Sequence, residues 1–181
     1  MSAIASATIA PARRGDGPDL IRANIDSRDY HEPWVQTFTD ARGFEEWFDA
    51  LFVEPRVGLV AREAASGGIC GVINLSQIFL KGFRSAYVGF YGMAEYARRG
   101  LMTEALGLAV RYAFEEVGLH RLEANIQPAN AASIALARRV GFRKEGFSPR
   151  YLRIAGEWRD HERWALLAAH APATSHGFTP S

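Results

Sequence analysis

The sequence predicts an α+β fold built on a mixed, mostly antiparallel sheet. Three observations carry that prediction. Residues 57–62, 69–79 and 85–91 are apolar, strand-like runs separated by short turns, which reads as an antiparallel meander. Residues 86–142 then alternate strand, glycine turn, helix, strand, helix. After Phe142, two further strand-like runs meet at Ala155-Gly156, the signature of a hairpin. The chain has 181 residues, enough for one core of good size, and shows no internal repeat. A single domain over residues 1–167 is expected, with an Ala-, Pro-, Ser-, Thr- and Gly-rich mobile tail over 168–181.

At the start, residues 1–14 lack acidic side chains and contain Ser and Arg, a faint echo of a transit peptide. The preferred reading is a first strand at residues 7–10, at a sheet edge and closed by Pro11. Pro18 suits the first turn of a helix, continued by Leu20, Ile21, Asn24 and Ile25. Residues 28–34 form a loop rich in aromatic and polar groups, where binding function is usually found. His31-Glu32 is no zinc motif, because no second histidine follows at helical spacing. Phe44, Trp47, Phe48, Leu51 and Phe52 mark a second amphipathic helix. Gly89 and Gly92 interrupt the strand at 85–91, which marks a bulge or a close approach by a ligand.

A net charge of +1 leaves no electrostatic footprint for nucleic acid, so no direct nucleic-acid binding is expected. No run is apolar and long enough to span a membrane. The single cysteine, Cys70, lies in an apolar strand and reads as a buried structural thiol. With no secretory signal visible, it favours a reducing, cytoplasmic setting.

The stretch that organises the chain is the turn Ala97-Arg98-Arg99-Gly100, followed by Leu101-Met102-Thr103 at a helix start. Leu106, Ala109, Val110, Ala113, Phe114 and Val117 recur at helical spacing, and Gly118 is the stop. A helix start offers unpaired N–H groups and the positive end of the dipole, a cradle for a phosphate or pyrophosphate. Gly100, lacking a Cβ, lets backbone approach a ligand closely. One glycine before a helix is more often a plain loop. It is neither a Walker A loop, lacking Gly-Lys-Ser/Thr, nor a dinucleotide fingerprint.

The segments Gly100-Leu-Met-Thr-Glu-Ala-Leu106, His120-Arg121-Leu-Glu-Ala-Asn125, Pro128, Asn130, Ser133, Ala137-Arg138, Gly141-Phe142, Glu145-Gly146, Tyr151-Leu152, Gly156 and Trp158-Arg-Asp-His161 together resemble the GNAT superfamily of acetyl-CoA-dependent N-acyltransferases. Within it, the chain is most similar to the ribosomal-protein-alanine N-acetyltransferases. The resemblance runs from about Asp26 to Leu167. It departs at Ala97 and Arg98, where the family has Gln or Arg and then Gly.

The resemblance implies helices on both sheet faces. It also implies a V-shaped splay between the strands flanking the pyrophosphate-binding helix, with pantetheine in the gap. It implies acetyl-CoA as co-substrate, with Arg98, Arg99, Gly100, Leu101, Met102 and Thr103 around the pyrophosphate. Asn125, Asn130 and Ser133 are implied along the pantetheine and thiol, and the backbone of Tyr91, Gly92 and Met93 at the acyl carbonyl. The loop with His31 and Trp34 is implied as one wall of the acceptor cleft; a packed connection anchored by Trp34 is an equal reading. No metal is expected.

The reaction sets what the site needs. An α-amine with a pKa of about 7.7–8.0 is partly neutral near pH 7, whereas a lysine near 10.4 needs far more help. The implied acceptor is the α-amine of a protein N-terminus, with alanine as first residue. Many relatives carry a tyrosine acid where this chain has Ala137. Ser133 is the replacement candidate, with Tyr151 and Glu145 as secondary ones, and Asn130 doubles as a helix cap. Residues 159–161 match the family without an assigned chemistry. Two alternatives stay open: a small-molecule amine as acceptor, or a non-catalytic coenzyme-binding module. The expected assembly is a monomer or homodimer.

Overall fold

A computed structural model describes residues 6–53 and 55–171. Seven strands form one sheet in the order β1-β2-β3-β4-β5-β7-β6. They are β1 (Ala7–Pro11), β2 (Val57–Glu63), β3 (Ile69–Phe79), β4 (Ser85–Gly92), β5 (Arg121–Ile126), β6 (Arg143–Ile154) and β7 (Glu157–Leu167). Neighbours are antiparallel except β4 and β5, which are parallel. The helices are α1 (Gly17–Asp26), α2 (Arg28–His31), α3 (Ala41–Val53), α4 (Leu101–Arg111) and α5 (Ala131–Val140).

Strand alternation distributes the apolar residues to two faces. On one face, Leu101, Ala105, Leu106, Ala109 and Val110 of α4, with Ala137 and Val140 of α5, pack on Leu59, Ala61, Leu122, Ala124, Ile126, Trp164 and Leu166. On the other, Leu20 of α1 and Phe44 and Phe48 of α3 pack on Val60, Val72 and Met93. Burying a leucine such as Leu106, fully excluded from solvent, contributes about 1.5–3 kcal/mol. Helices thus cover both faces.

The crossover from β4 to β5 passes through α4. It continues as a π-turn (Tyr112–Glu116) and closes at Gly118 with φ +76°. β4 and β5 pair at Ser85↔Arg121, Ala86↔Leu122 and Tyr87↔Glu123. Beyond Tyr87, β4 stays with β3 as far as Gly71↔Gly92, while β5 follows β7 to Ile126↔Glu162. Each strand is held by its outer neighbour, and a V-shaped gap opens between them.

Three expectations need correction. The bulge expected at Gly89 or Gly92 is absent: the register runs evenly from Ser76↔Tyr87 to Gly71↔Gly92, and the irregularity lies at Ser76/Phe79. Gly92 serves instead for close packing, since a Cβ there would sit 2.9 Å from Met102 Cγ of α4, while around Gly89 there is open space. The loop at 28–34 begins with the single turn α2. The strand at residues 7–10 extends to Pro11. At the other end, Ala168–His170 form a 3-10 turn tied by Ala168 N–H to the His120 carbonyl; residues 1–5 and 172–181, with most of the expected tail, lie outside the described residues. Cys70 is fully buried, and burial pushes its thiol up to about 11, as suits an inert core group. No helix among the described residues is long and apolar enough to cross a membrane.

Candidate active site

The start of α4 is the first component. Gly100 is its N-cap at φ +80°, and no side chain caps the helix. The Gly100 carbonyl accepts from Thr103 N–H at 3.0 Å and Glu104 N–H at 3.2 Å. The N–H groups of the first turn ahead of them point out of the helix end, where an anion would be held. Arg98 also takes a left-handed conformation, φ +62°. Met102 turns inward over Gly71 and Gly92 and fixes the turn on the sheet. Glu104 faces away, accepting from Ala7 N–H at 2.9 Å and so joining α4 to β1.

The second component is a cavity of about 430 Å³ running through the splay. Gly89–Gly92 of β4 and Ala124–Ile126 of β5 form its flanks, and Asn130, Ser133 and Leu136 of α5 form one rim. Across the sheet it is closed by Tyr30 and His31 of α2, the segment 34–38, and Leu152, Ile154 and His161 of the β6–β7 hairpin. No Asp, Glu, Lys or Arg among the described residues lines it.

Alternation decides which backbone groups face the gap. Met93 N–H donates to the Cys70 carbonyl of β3 at 3.0 Å. Odd-numbered residues of this stretch therefore face β3, and the N–H groups of Phe90 and Gly92 face the splay. Of Tyr91, Gly92 and Met93, the middle one fits a carbonyl-polarising role. Tyr91 lines the cavity with its ring, and burial holds its phenol protonated well above the usual range. Met93 is buried in the core on the α1–α3 face and is not brought to the cavity. Phe90 was missed because only the β3 register reveals its orientation.

On α5, Asn130 Oδ1 accepts from Ser133 N–H at 3.1 Å, capping the helix. Ser133 lines the cavity, and Ala137, one turn on, is fully buried in the core. A hydroxyl acid is therefore offered at 133 and not at 137. Asn125 lines the cavity too, and its Oδ1 is buried with no hydrogen-bond partner among the described residues.

Two buried histidines face the cavity. His31 donates from Nε2 to the Gly92 carbonyl at 2.8 Å, so its Nδ1 accepts from the Thr37 hydroxyl at 3.2 Å. Its ring meets Tyr91 edge-on at 5.0 Å. Burial lowers its pKa, against a smaller opposite effect of the Gly92 carbonyl. His31 is thus a wall residue with both nitrogens engaged. Trp34 lines the same wall. His161, on the hairpin, contacts the Arg159 carbonyl through Nδ1 at 2.9 Å.

Three expected residues are turned elsewhere. Arg99 ion-pairs with Glu63 of β2 and lies over the Tyr96 ring. Glu145 pairs with Arg121, which holds its carboxyl below the usual range; an exposed, ion-paired carboxylate away from the cavity is a poor proton donor. Tyr151 hydrogen-bonds Tyr87, whose own pKa that contact, with burial, raises to about 12. Tyr151 does not line the cavity, and its ring centroid lies 6.1 Å from that of His161.

Residues 7–143 match the acetyltransferase (GNAT) domain family. The chain is 36% identical over 104 residues to the "Probable N-acetyltransferase YjcK" of Bacillus subtilis, covering 58% of each. It is 42% identical over 98 residues to the [ribosomal protein uS5]-alanine N-acetyltransferase of Escherichia coli, covering 54% of this chain and 50% of that one. It is 34% identical over 134 residues to an L-methionine sulfoximine/L-methionine sulfone acetyltransferase of Pseudomonas paraeruginosa, covering 70% and 74%. The chain spans between half and three-quarters of the length of these curated relatives. Among solved structures, Mycobacterium smegmatis RimJ in complex with CoA-disulfide superposes with a TM-score of 0.81 at 27% identity, over 93% of this chain and 85% of that one. A spermidine N-acetyltransferase from Vibrio cholerae shares the fold, with a TM-score of 0.77 at 20% identity, over 91% and 96%. The chain belongs to the acetyltransferase (GNAT) family.

Proposed function

We propose that this member of the GNAT family transfers an acetyl group from acetyl-CoA to the α-amine of a protein N-terminus. The observation that carries the acceptor assignment is the uncharged cavity lining. A polyamine needs carboxylates to replace its lost hydration, and a free amino acid needs a cation for its α-carboxylate. A peptide terminus brings one amine and neutral amides, and a cavity of amides, hydroxyls and rings suits it. The similarity to the ribosomal-protein-alanine enzyme supports the same reading. The similarity to the methionine sulfone enzyme, over more of the chain, keeps a small amino-acid derivative as the second reading.

In this reading, pyrophosphate sits on the backbone from Arg98 to Thr103. Pantetheine lies in the splay near Asn130, and Gly92 N–H polarises the acyl carbonyl. The amine enters from the side of His31 and Trp34. Its lone pair forms the C–N bond, the C–S bond breaks, and the Ser133 hydroxyl hydrogen-bonds the departing thiolate. The deciding experiment incubates an Ala-terminal peptide containing internal lysines with acetyl-CoA and maps the product by tandem mass spectrometry. Acetyl on the α-amine supports the reading. Acetyl solely on lysine, on a small amine or on nothing rejects it.

A further inference from the structure

We propose that His161 is the base that takes the proton from the acceptor ammonium, with Asn125 Oδ1 orienting that ammonium. The proposal rests on the transferase reading above. A carbonyl can only accept, so the Arg159 contact at 2.9 Å fixes the Nδ1–H tautomer of the neutral ring. The lone pair then sits on Nε2. His161 is 2% exposed, yet it lines the cavity. His31, held against the Gly92 carbonyl of β4, has both nitrogens occupied and offers no free lone pair.

The strand register places the second partner. Asn125 of β5 pairs with Arg163 of β7. His161 lies two residues along β7, so it projects from the same sheet face as Asn125. Such a diagonal pair is separated by about 7–8 Å at the backbone, a span one amine nitrogen can bridge with two hydrogen bonds. The buried Oδ1 of Asn125 lacks a donor among the described residues, and an ammonium supplies one. This face is opposite α4 and α5, so acyl donor and amine meet from two sides of the splay.

The proton count closes. The R–NH3⁺ group gives one proton to His161 Nε2, leaving a neutral amine. That amine forms the C–N bond as the thioester C–S bond breaks. A second proton leaves nitrogen and ends on sulfur, giving amide and free thiol. His161 returns its proton to solvent.

The charged and titratable groups on this face are Arg159 and Arg163 of β7, two residues either side of His161, Glu123 of β5, Tyr151 of β6 and its partner Tyr87 of β4, and, around the cavity, Tyr91 of β4 and Tyr30 and His31 of α2. The test measures kcat against pH with the Ala-terminal peptide, together with acetyl-CoA affinity, for the unmodified protein, His161→Gln and His161→Ala. The expected result is a kcat loss of about 10²-fold or more with acetyl-CoA affinity unchanged. The acid limb of the profile should disappear, and added imidazole should restore part of the His161→Ala activity. A His161→Gln protein with near-normal kcat and the same acid limb overturns the proposal. So does unmodified protein whose kcat shows no acid limb down to about pH 5, whether or not the variants fold. If the unmodified protein transfers acetyl to no peptide, the transferase reading itself falls, and the base assignment with it.

Discussion

Helices α4 and α5 start on the same side of the sheet and are finished in opposite ways. At α5, Asn130 Oδ1 occupies the Ser133 N–H. At α4, Gly100 provides a left-handed backbone and no capping side chain. A side-chain cap contributes about 1 kcal/mol, and the start of α4 forgoes that contribution. In the proposed reading, the difference separates a helix start closed by its own side chain from one that receives the coenzyme pyrophosphate. Of the two flanking cations, Arg99 is not aimed at it, being held by Glu63.

The comparison breaks most visibly at Gly100. Gly100→Trp should fill the cradle and force a bulky side chain into φ +80°. Acetyl-CoA affinity by calorimetry should fall by about 100-fold, roughly 2.7 kcal/mol, while circular dichroism stays native. Unchanged affinity in a folded variant would remove the coenzyme from this turn.

Ser133→Ala comes next. A hydroxyl that matters to the departing sulfur acts in the transition state. Steady-state kinetics should therefore show kcat falling by about 10²-fold, at the low end for proton-transfer assistance, with acetyl-CoA affinity little changed. Full activity would leave the thiolate to depart unaided.

Asn130→Ala sharpens the other side. Losing the α5 cap should lower stability by about 0.5–2 kcal/mol in chemical denaturation, a cost with no counterpart at the uncapped α4. A loss confined to coenzyme affinity would reverse the assignment of the two helix starts.

The smallest effect concerns His31. Burial lowers its folded pKa below the unfolded value. Between those values the unfolded chain binds more protons, so stability is whole above the unfolded pKa and declines as pH falls through about 6.5. Melting temperatures of the protein and His31→Asn should converge as the pH drops through that range. Parallel curves would mean that His31 titrates alike in both states.

What was legible in the sequence had local causes. Gly100, Gly118 and Gly141 end or open helices through positive φ, and Ala155-Gly156, with φ +50° and +82°, turns the last hairpin. The strand order around α4 could be read because its glycine turn and helical spacing lie next to each other in the chain. What stayed hidden depends on partners far away in sequence. Met93 was expected at the acyl carbonyl, but its N–H is taken by Cys70. Arg99 is diverted by a carboxylate on β2, and Glu145 by a guanidinium on β5. The orientation of His161 follows from the pairing of β7 with β5, which no stretch of either strand announces.

Amide hydrogen exchange with and without acetyl-CoA tests the contrast between the two helix starts most directly. The first-turn amides of α4, Leu101 and Met102 foremost, should exchange fast in the free protein and slow markedly on adding acetyl-CoA. The Ser133 amide, already bonded to Asn130, should be protected beforehand and gain less. Protection that rises at Ser133 and leaves Leu101 and Met102 unchanged would contradict the account.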